Sequence, residues 1–298
     1  MDEAKAVVVE TDISPKGILI EKIASFPITD KQVFWGRIAD FDGLIPRFAE
    51  IKKTQKWKAK LASINLPMHF CDIKAFDFPK AYVKKSNIEW EIQSNFVGDP
   101  SLYRFDSIEA GKSKRGITEL VLGAIAEAVD ERATLLASIG LNAVAVEPDI
   151  LSFYNGLAST MLSFPAPSVL LIDISYPYSS FALVKDNVFI PGGNVKVSED
   201  FLRGVSLDAV PGFAQDLSKA FSRKFELAGF DMGEHKPQML IVGGLSVDDN
   251  VADLIAKELE IPPYRKNPLA EGLVKLKDKK IVLSWQSYIK ALGLALRN

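Results

Sequence analysis

Cysteine is almost absent from this chain: Cys71 is the one thiol in 298 residues. A lone thiol cannot close an internal disulfide or build a multi-cysteine metal site, and it suits a reducing compartment. Histidine is nearly as scarce, with His69 and His235 alone. An excess of one charge is also missing. The formal net charge is −2, which gives no reason to expect a nucleic-acid partner. No uninterrupted apolar run is long enough to span a bilayer, and the first residues do not read as a signal peptide. These absences point to a cytoplasmic chain that any membrane association must reach through another protein. What is present is ordinary: 48% hydrophobic and 25% charged residues, enough apolar content for one large or two medium domains.

The chain is organised around 168–193, SVLLIDISYPYSSFALVKDNVFIPGG. Val169 to Ile172 is an apolar strand ending on Asp173. A polar turn leads to a second strand, Phe181 to Val184. Lys185-Asp186-Asn187 turns it into a third, Val188 to Ile190, followed by Pro191, Gly192 and Gly193. One reading is an antiparallel meander with a solvated Asp. The other is the opening of an actin-like ATPase domain, in which the Asp and the turn backbone face phosphate and glycines admit a ligand to the main chain. The start of the chain repeats the pattern. AVVVETDISPKGILI (6–20) and VLLIDISYPYSSFALV (169–184) share a strand, the tripeptide Asp-Ile-Ser (Asp12-Ile13-Ser14 and Asp173-Ile174-Ser175), a Pro-containing turn and a second strand. A long-range repeat marks a duplicated unit. Two such halves are the organisation of the actin, sugar-kinase and heat-shock-chaperone superfold, with the strands at 6–10 and 169–172 at equivalent places in two similar sheets.

The remaining segments fall into place around the repeat. Ile23 to Ile28 continues strand-like, and 31–62 is helical in part. LASINLPMHFCDIKAFDFP (61–79) alternates and reads as paired strands. His69 and Cys71, two apart, share a face on such a strand. Without a third orienting group they read as packing neighbours rather than a nucleophile and its base, and His235 reads as a solvated loop residue. Residues 84–94 read as helix, and 98–103 and 109–116 as turns. Lys112, Lys114 and Arg115 lack the P-loop spacing and read as a solvated hairpin tip. ELVLGAIA (119–126), VDERATLLASIGL (129–141), AVAVEP (143–148) and DILSFYNGLAS (149–159) read strand, helix, strand, helix, with Asp149 capping the last. That order implies parallel pairing. Beyond 168–193, the stretch 198–229 reads as helix broken at Pro211-Gly212. QMLIVGG (238–244) reads as strand, 248–261 as helix, 262–269 as extended, and SWQSYIKALGLALR (284–297) as an apolar-faced helix.

Taken in order, these stretches resemble the type IV pilus assembly protein PilM family, actin-like relatives of the cell-division protein FtsA. The resemblance rests on VLLIDIS, Gly192-Gly193 followed by the polar Ser198, MLIVGG, ELEIPPYRKNPL and ALGLALR in the second half. In the first half it rests on 61–79 and on ELVLGAIAEAVDERATLLASIGLNAVAVEPDILSF. It implies an α/β actin-like superfold with halves at 1–165 and 166–280 and a small inserted subdomain at about 62–145. The terminal helix, 281–298, returns to the first half. It also implies a cytoplasmic scaffold of a type IV pilus or type II secretion platform, bound to the N-terminal tail of a PilN-type inner-membrane protein, with self-association as a further partner mode.

The family's phosphate hairpins read Asp-Ile-Gly, and this chain departs from them. Ser14 and Ser175 replace the glycines, and Tyr176-Pro177-Tyr178 adds bulk and removes a donor. The implied nucleotide site therefore retains Asp12, Ser14, Glu147, Asp173, Ser175, Gly192, Gly193, Gly243 and Gly244 in degenerate form. The expectation is no catalysis, no metal site, and either no cofactor or ATP with magnesium held weakly. The glycine pairs also fit plain turns, and Glu147 fits either a water-orienting or a structural carboxylate. The rival readings are an active ATPase or sugar-kinase-like enzyme, favoured by intact hairpins, and an FtsA-like filament former, favoured by an amphipathic tail beyond the last helix.

Overall fold

Runs of β-branched residues start the chain as extended backbone. β1 (Lys5–Ser14) turns at Gly17, whose φ of +117° excludes most side chains, into antiparallel β2 (Gly17–Pro27). A computed structural model describes residues 1, 5–15, 17–79, 90, 94, 98–112, 116–198, 207–227, 236–244, 247–278 and 284–297. A small hairpin, β3 (Val33–Phe34) and β4 (Arg37–Ile38), precedes α1 (Phe41–Thr54), which Asp40 caps through the Gly43 amide. β5 (Leu61–Leu66) ends in a 3-10 turn at Met68–Phe70 that redirects the chain into β6 (Cys71–Pro79). β7 (Tyr103–Lys112), β8 (Gly116–Ile125), α2 (Ala126–Ser138), β9 (Asn142–Pro148) and α3 (Asp149–Thr160) complete the first part. The second part holds β10 (Ser168–Ile174), β11 (Tyr178–Lys185), β12 (Val188–Lys196), α4 (Val210–Leu227), β13 (Met239–Gly244), α5 (Asp249–Leu259), β14 (Val274–Leu276) and α6 (Trp285–Ala295).

The second half follows the sequence reading closely. Its sheet runs β12-β11-β10-β13, with β10 and β13 parallel and Asp173 opposite Gly243. Every residue of β10 is buried, because α4 and α5 cover one face and α3 and α6 the other. Asp186 and Asn187 take φ of +51° and +63°, the left-handed pair that a two-residue hairpin needs. β12 runs through Pro191, Gly192 and Gly193 instead of ending before them, and Pro191 is tolerated because β12 is an edge strand. Pro211 sits in the first turn of α4 and starts that helix instead of breaking it, since a first-turn proline forfeits no helical hydrogen bond.

The architecture is the actin-like α/β superfold, with the antiparallel sheet β6-β8-β7 as a small inserted subdomain in the first half. The rest of the first half differs from its counterpart. β5 pairs in parallel with β9, not with β6, because the 3-10 turn separates the two segments that were expected to pair. β8 and β9 likewise join different sheets. β2 takes β14 as a parallel neighbour on its outer edge, which leaves β1 terminal in its sheet. Among the described residues β1 faces β5 without a ladder, and the contacts toward its two ends set it in the opposite sense. Met1 exchanges hydrogen bonds with Asn65 near the end of β5, at 2.7 and 2.8 Å. Glu10 accepts from the amides of Lys58 and Ala59, just ahead of the start of β5, at 2.6 and 2.9 Å. The counterpart pair, β10 and β13, is parallel, so 6–10 and 169–172 are not equivalent in their sheets. The expected helix at 84–94 lies outside the described residues except at Trp90 and Ser94, which are helical. Among the described residues no helix is long and apolar enough to cross a membrane.

Helices α3 and α6 touch backbone to backbone. A Cβ on Gly156 would lie 2.1 Å from the Ile289 carbonyl oxygen, and one on Gly293 would lie 1.9 Å from that of Ser152. Neither main chain can yield cheaply, so Gly293→Ala is expected to destabilise the protein by about 1–3 kcal/mol through overpacking. Gly212→Ala, where nothing lies within 4 Å, is expected to be neutral or slightly stabilising. Urea denaturation of the two variants, compared at equal m-value, checks both.

Candidate functional site

The apolar face of α6 carries one cation, Lys290, which is 5% exposed. Its ammonium lies 2.8 Å from Asp173 Oδ2 at the end of β10, 3.1 Å from Ser175 Oγ, and 3.2 Å from Asp149 Oδ1 at the start of α3. An ammonium has three protons to give, and these are three acceptors from two different elements and the turn after β10. Ser175 Oγ also donates to Asp173 Oδ2 at 3.3 Å. Asn65, from β5, donates to Asp149 at 2.7 Å. Asn65 in turn is held through its carbonyl by Arg132 of α2, which also donates to the carbonyls of Gly36 and Ala128. Burial pulls the Arg132 guanidinium down to about 10, against the opposing field of Asp149. Two buried cations and two buried aspartates therefore share one hydrogen-bonded centre, as buried charge requires.

This arrangement changes what the sequence candidates can do. Asp173 and Ser175 meet, but around a lysine of the chain itself. Asp12 and Ser14 do not join them. They lie on the exposed tip of the β1–β2 hairpin and take no part in the Lys290 contacts just described. Gly192 and Gly193 lie against Phe181, whose carbonyl oxygen would be 2.0 Å from a Cβ on Gly192. A Cβ on Gly243 would lie 2.3 Å from the Phe153 ring, and one on Gly244, at φ +139°, would lie 2.3 Å from the Ile174 carbonyl oxygen. These glycines admit protein, not ligand. Glu147 accepts from Ser152 Oγ at 3.1 Å, from Asn155 Nδ2 at 3.0 Å and pairs with Arg297 at 3.1 Å. Burial raises its pKa, and those three partners oppose the rise. Asp149 does not cap its own helix, because its carboxylate is committed to Lys290 and Asn65. As they stand, these residues do not fit a magnesium-bound triphosphate. The carboxylate that would face the metal is already paired, and the phosphate turns are apart. Among the described residues no cluster of three or more His, Cys, Asp or Glu could hold a metal ion.

Aromatic rings pack beside the turn after β10. Tyr178, in the turn that was expected to cradle phosphate, packs on His69 at 4.9 Å and on Trp35 at 6.1 Å between ring centres. Lys196 lies over the Trp35 ring at 5.6 Å. His69 Nε2 is 3.1 Å from the Trp35 carbonyl. His69 stands in the 3-10 turn and Cys71 opens the next strand, so the two are packing neighbours. Burial pushes the Cys71 thiol far up, which makes it a poor nucleophile. The sequence reading missed Lys290, Asn65 and Arg132. The available signal was Lys290 itself, the one cation within the apolar stretch 285–296.

Lys290→Met is expected to cost about 3–5 kcal/mol, since it strands two buried carboxylates. Asp12→Ala is expected to stay within about 0.5 kcal/mol, as an exposed surface change does. Equilibrium unfolding separates the two. Burial lowers the His69 pKa from its ordinary 6.5, opposed by the bond to the Trp35 carbonyl. The unfolded chain then binds the extra proton first, so this stability is complete above pH 6.5 and is lost as pH falls from there toward the lowered folded value. Melting between pH 7.5 and 5.5 should show that loss, and His69→Gln should flatten it.

No family model and no curated protein sequence matches the chain. Solved structures do. A chain of a PilM–PilN type IV pilus biogenesis complex superposes with a TM-score of 0.81, over 100% of this chain and 96% of that one, at 18% identity. The ethanolamine utilization protein EutJ from Carboxydothermus hydrogenoformans superposes with a TM-score of 0.57, over 100% of this chain and 87% of that one, at 13% identity. At such identities the likeness is one of fold: the chain has the actin-like architecture along its full described length.

Proposed function

We propose that this protein is a non-catalytic, actin-like scaffold of a type IV pilus or type II secretion assembly platform, brought to the inner membrane by the cytoplasmic tail of a PilN-type protein. The observation that carries the reading is Lys290, whose ammonium occupies the centre between Asp173, Ser175 and Asp149 where an actin-like ATPase needs metal and phosphate. With that centre filled from within, chemistry gives way to binding as the use of the fold. The fold likeness to a PilM–PilN chain supports the choice of system. Phe34 and Trp35, 56% and 40% exposed, offer aromatic surface beside the 3-10 turn where β5 gives way to β6. Aromatic side chains of this kind anchor protein partners. The groove therefore runs along 66–78 and the adjoining face of the first half, and a tail that orders on binding gives about micromolar affinity.

Calorimetry with the synthetic tail of the PilN-type protein encoded beside this one should give saturable binding of about that strength, weakened by Trp35→Ala. A ligand at 100-fold over its Kd raises stability by about 2.7 kcal/mol, so millimolar Mg-ATP should leave the melting temperature unchanged. A clear rise with Mg-ATP, together with phosphate release abolished by Asp173→Ala, would replace the scaffold with an ATPase.

A further inference from the structure

A second, separate feature lies inside the first half. Between β1 and β5 runs a cavity of about 350 Å³. Ala291, Leu294 and Ala295 of α6 form one side, and Phe48, Ile51 and Leu136 of α1 and α2 form the other. Its two long walls are strand edges. β1 behaves as an interior strand: Ala6 packs with Leu44 and Leu135 on one face, and Val7 and Val9 pack with Ile289 on the other. Yet its outer edge makes no ladder among the described residues, and neither does the facing edge of β5. In the second half the corresponding gap is closed, with β10 and β13 in register from Val169 to Ile174. Strand edges left open in this way are templates for another strand, because main-chain N–H and C=O groups need partners.

One end of the gap is basic. Lys56, Lys58 and Lys60 are exposed, and none is ion-paired among the described residues. The nearby carboxylate, Glu10, is already taken by Lys22 and by the amides of Lys58 and Ala59. Trp57 lines the cavity between these lysines, and its buried Nε1 has no acceptor among the described residues. An indole N–H is a donor only, so it calls for an oxygen from whatever enters.

We propose that this gap is a strand-insertion site for an extended segment of a protein partner, with apolar residues along about six positions and carboxylates at the end that meets Lys56, Lys58 and Lys60. The apolar layers above and below take its side chains, the two edges take its main chain, and the lysines fix its direction. A fatty acid would satisfy the apolar walls and the lysines but would leave both edges unpaired. The proposal is independent of the scaffold reading, whose groove lies along 66–78.

The test uses the full chain and a fluorescein-labelled peptide, Glu-Glu-Val-Ile-Val-Ile-Val, followed by anisotropy and by hydrogen exchange. Saturable binding is expected, with slowed exchange at the amides of β1 and β5. Replacing both glutamates by lysine, or reversing charge with Lys56→Glu, Lys58→Glu and Lys60→Glu together, should weaken it roughly tenfold, as lost charge complementarity does. Methylating alternate peptide amides should remove binding without any change to the protein. Absence of saturable binding at millimolar peptide would overturn the proposal. So would equal binding of the methylated or lysine peptides, unchanged exchange in β1 and β5, or binding of sodium laurate where the peptide fails.

Discussion

The structure depends on one buried ammonium. Lys290 can lose its water only if every proton it carries finds an acceptor, and only a nearby negative charge offsets the desolvation of a cation. Asp173, Ser175 and Asp149 meet both conditions. Those acceptors come from the end of a second-half strand, the turn after it and the start of a first-half helix, so the requirement fixes three parts of the chain relative to the last helix. The approach of α6 is itself set by glycine. Gly156 and Gly293 let its backbone meet that of α3, and side chains at those positions would hold Lys290 away from its partners.

The parts of this fold that were legible in the sequence are those written in local pattern. β10, β11, β12, β13 and α5 follow from apolar runs, a two-residue Asp-Asn turn and a capping Asp248. The sense of β1 was not legible. A strand's periodicity says which face is buried but not which neighbour its edge meets or in which direction. Here Glu10, drawn to Lys22 and to the amides before β5, and β14, taken up by β2, decide the matter through contacts remote in sequence. Lys290 was hidden for a different reason. On composition a lysine in a terminal helix reads as solvated, and only the convergence of Asp149 and Asp173, 24 residues apart, makes it a core residue. Glu147 shows the converse: a carboxylate that could have oriented water is held by Ser152, Asn155 and Arg297.

The Asp-Ile-Ser repeat thus has two outcomes in one molecule. In the second half its aspartate is buried and paired with Lys290 of the chain itself. In the first half it sits on an exposed hairpin tip. Both copies open with a strand, whose burial pattern folding requires. The turns that follow differ, one exposed at residues 12–15 and the other buried at Ser175.

The charged centre and the open gap are mechanically connected through α6 and β5. Lys290 points from α6 into the centre, while Ala291, Leu294 and Ala295 of the same helix line the gap. Asn65 lies near the end of β5, which forms the gap's other wall, and donates to Asp149 inside the centre. A segment that entered between β1 and β5 would bear on both elements at once. Displacing either lengthens a hydrogen bond to a buried aspartate, at a cost set by the low local dielectric and not by solvent. The Lys290 clamp is therefore also the element that resists widening of the gap, so rigidity at one place limits what the other can accept.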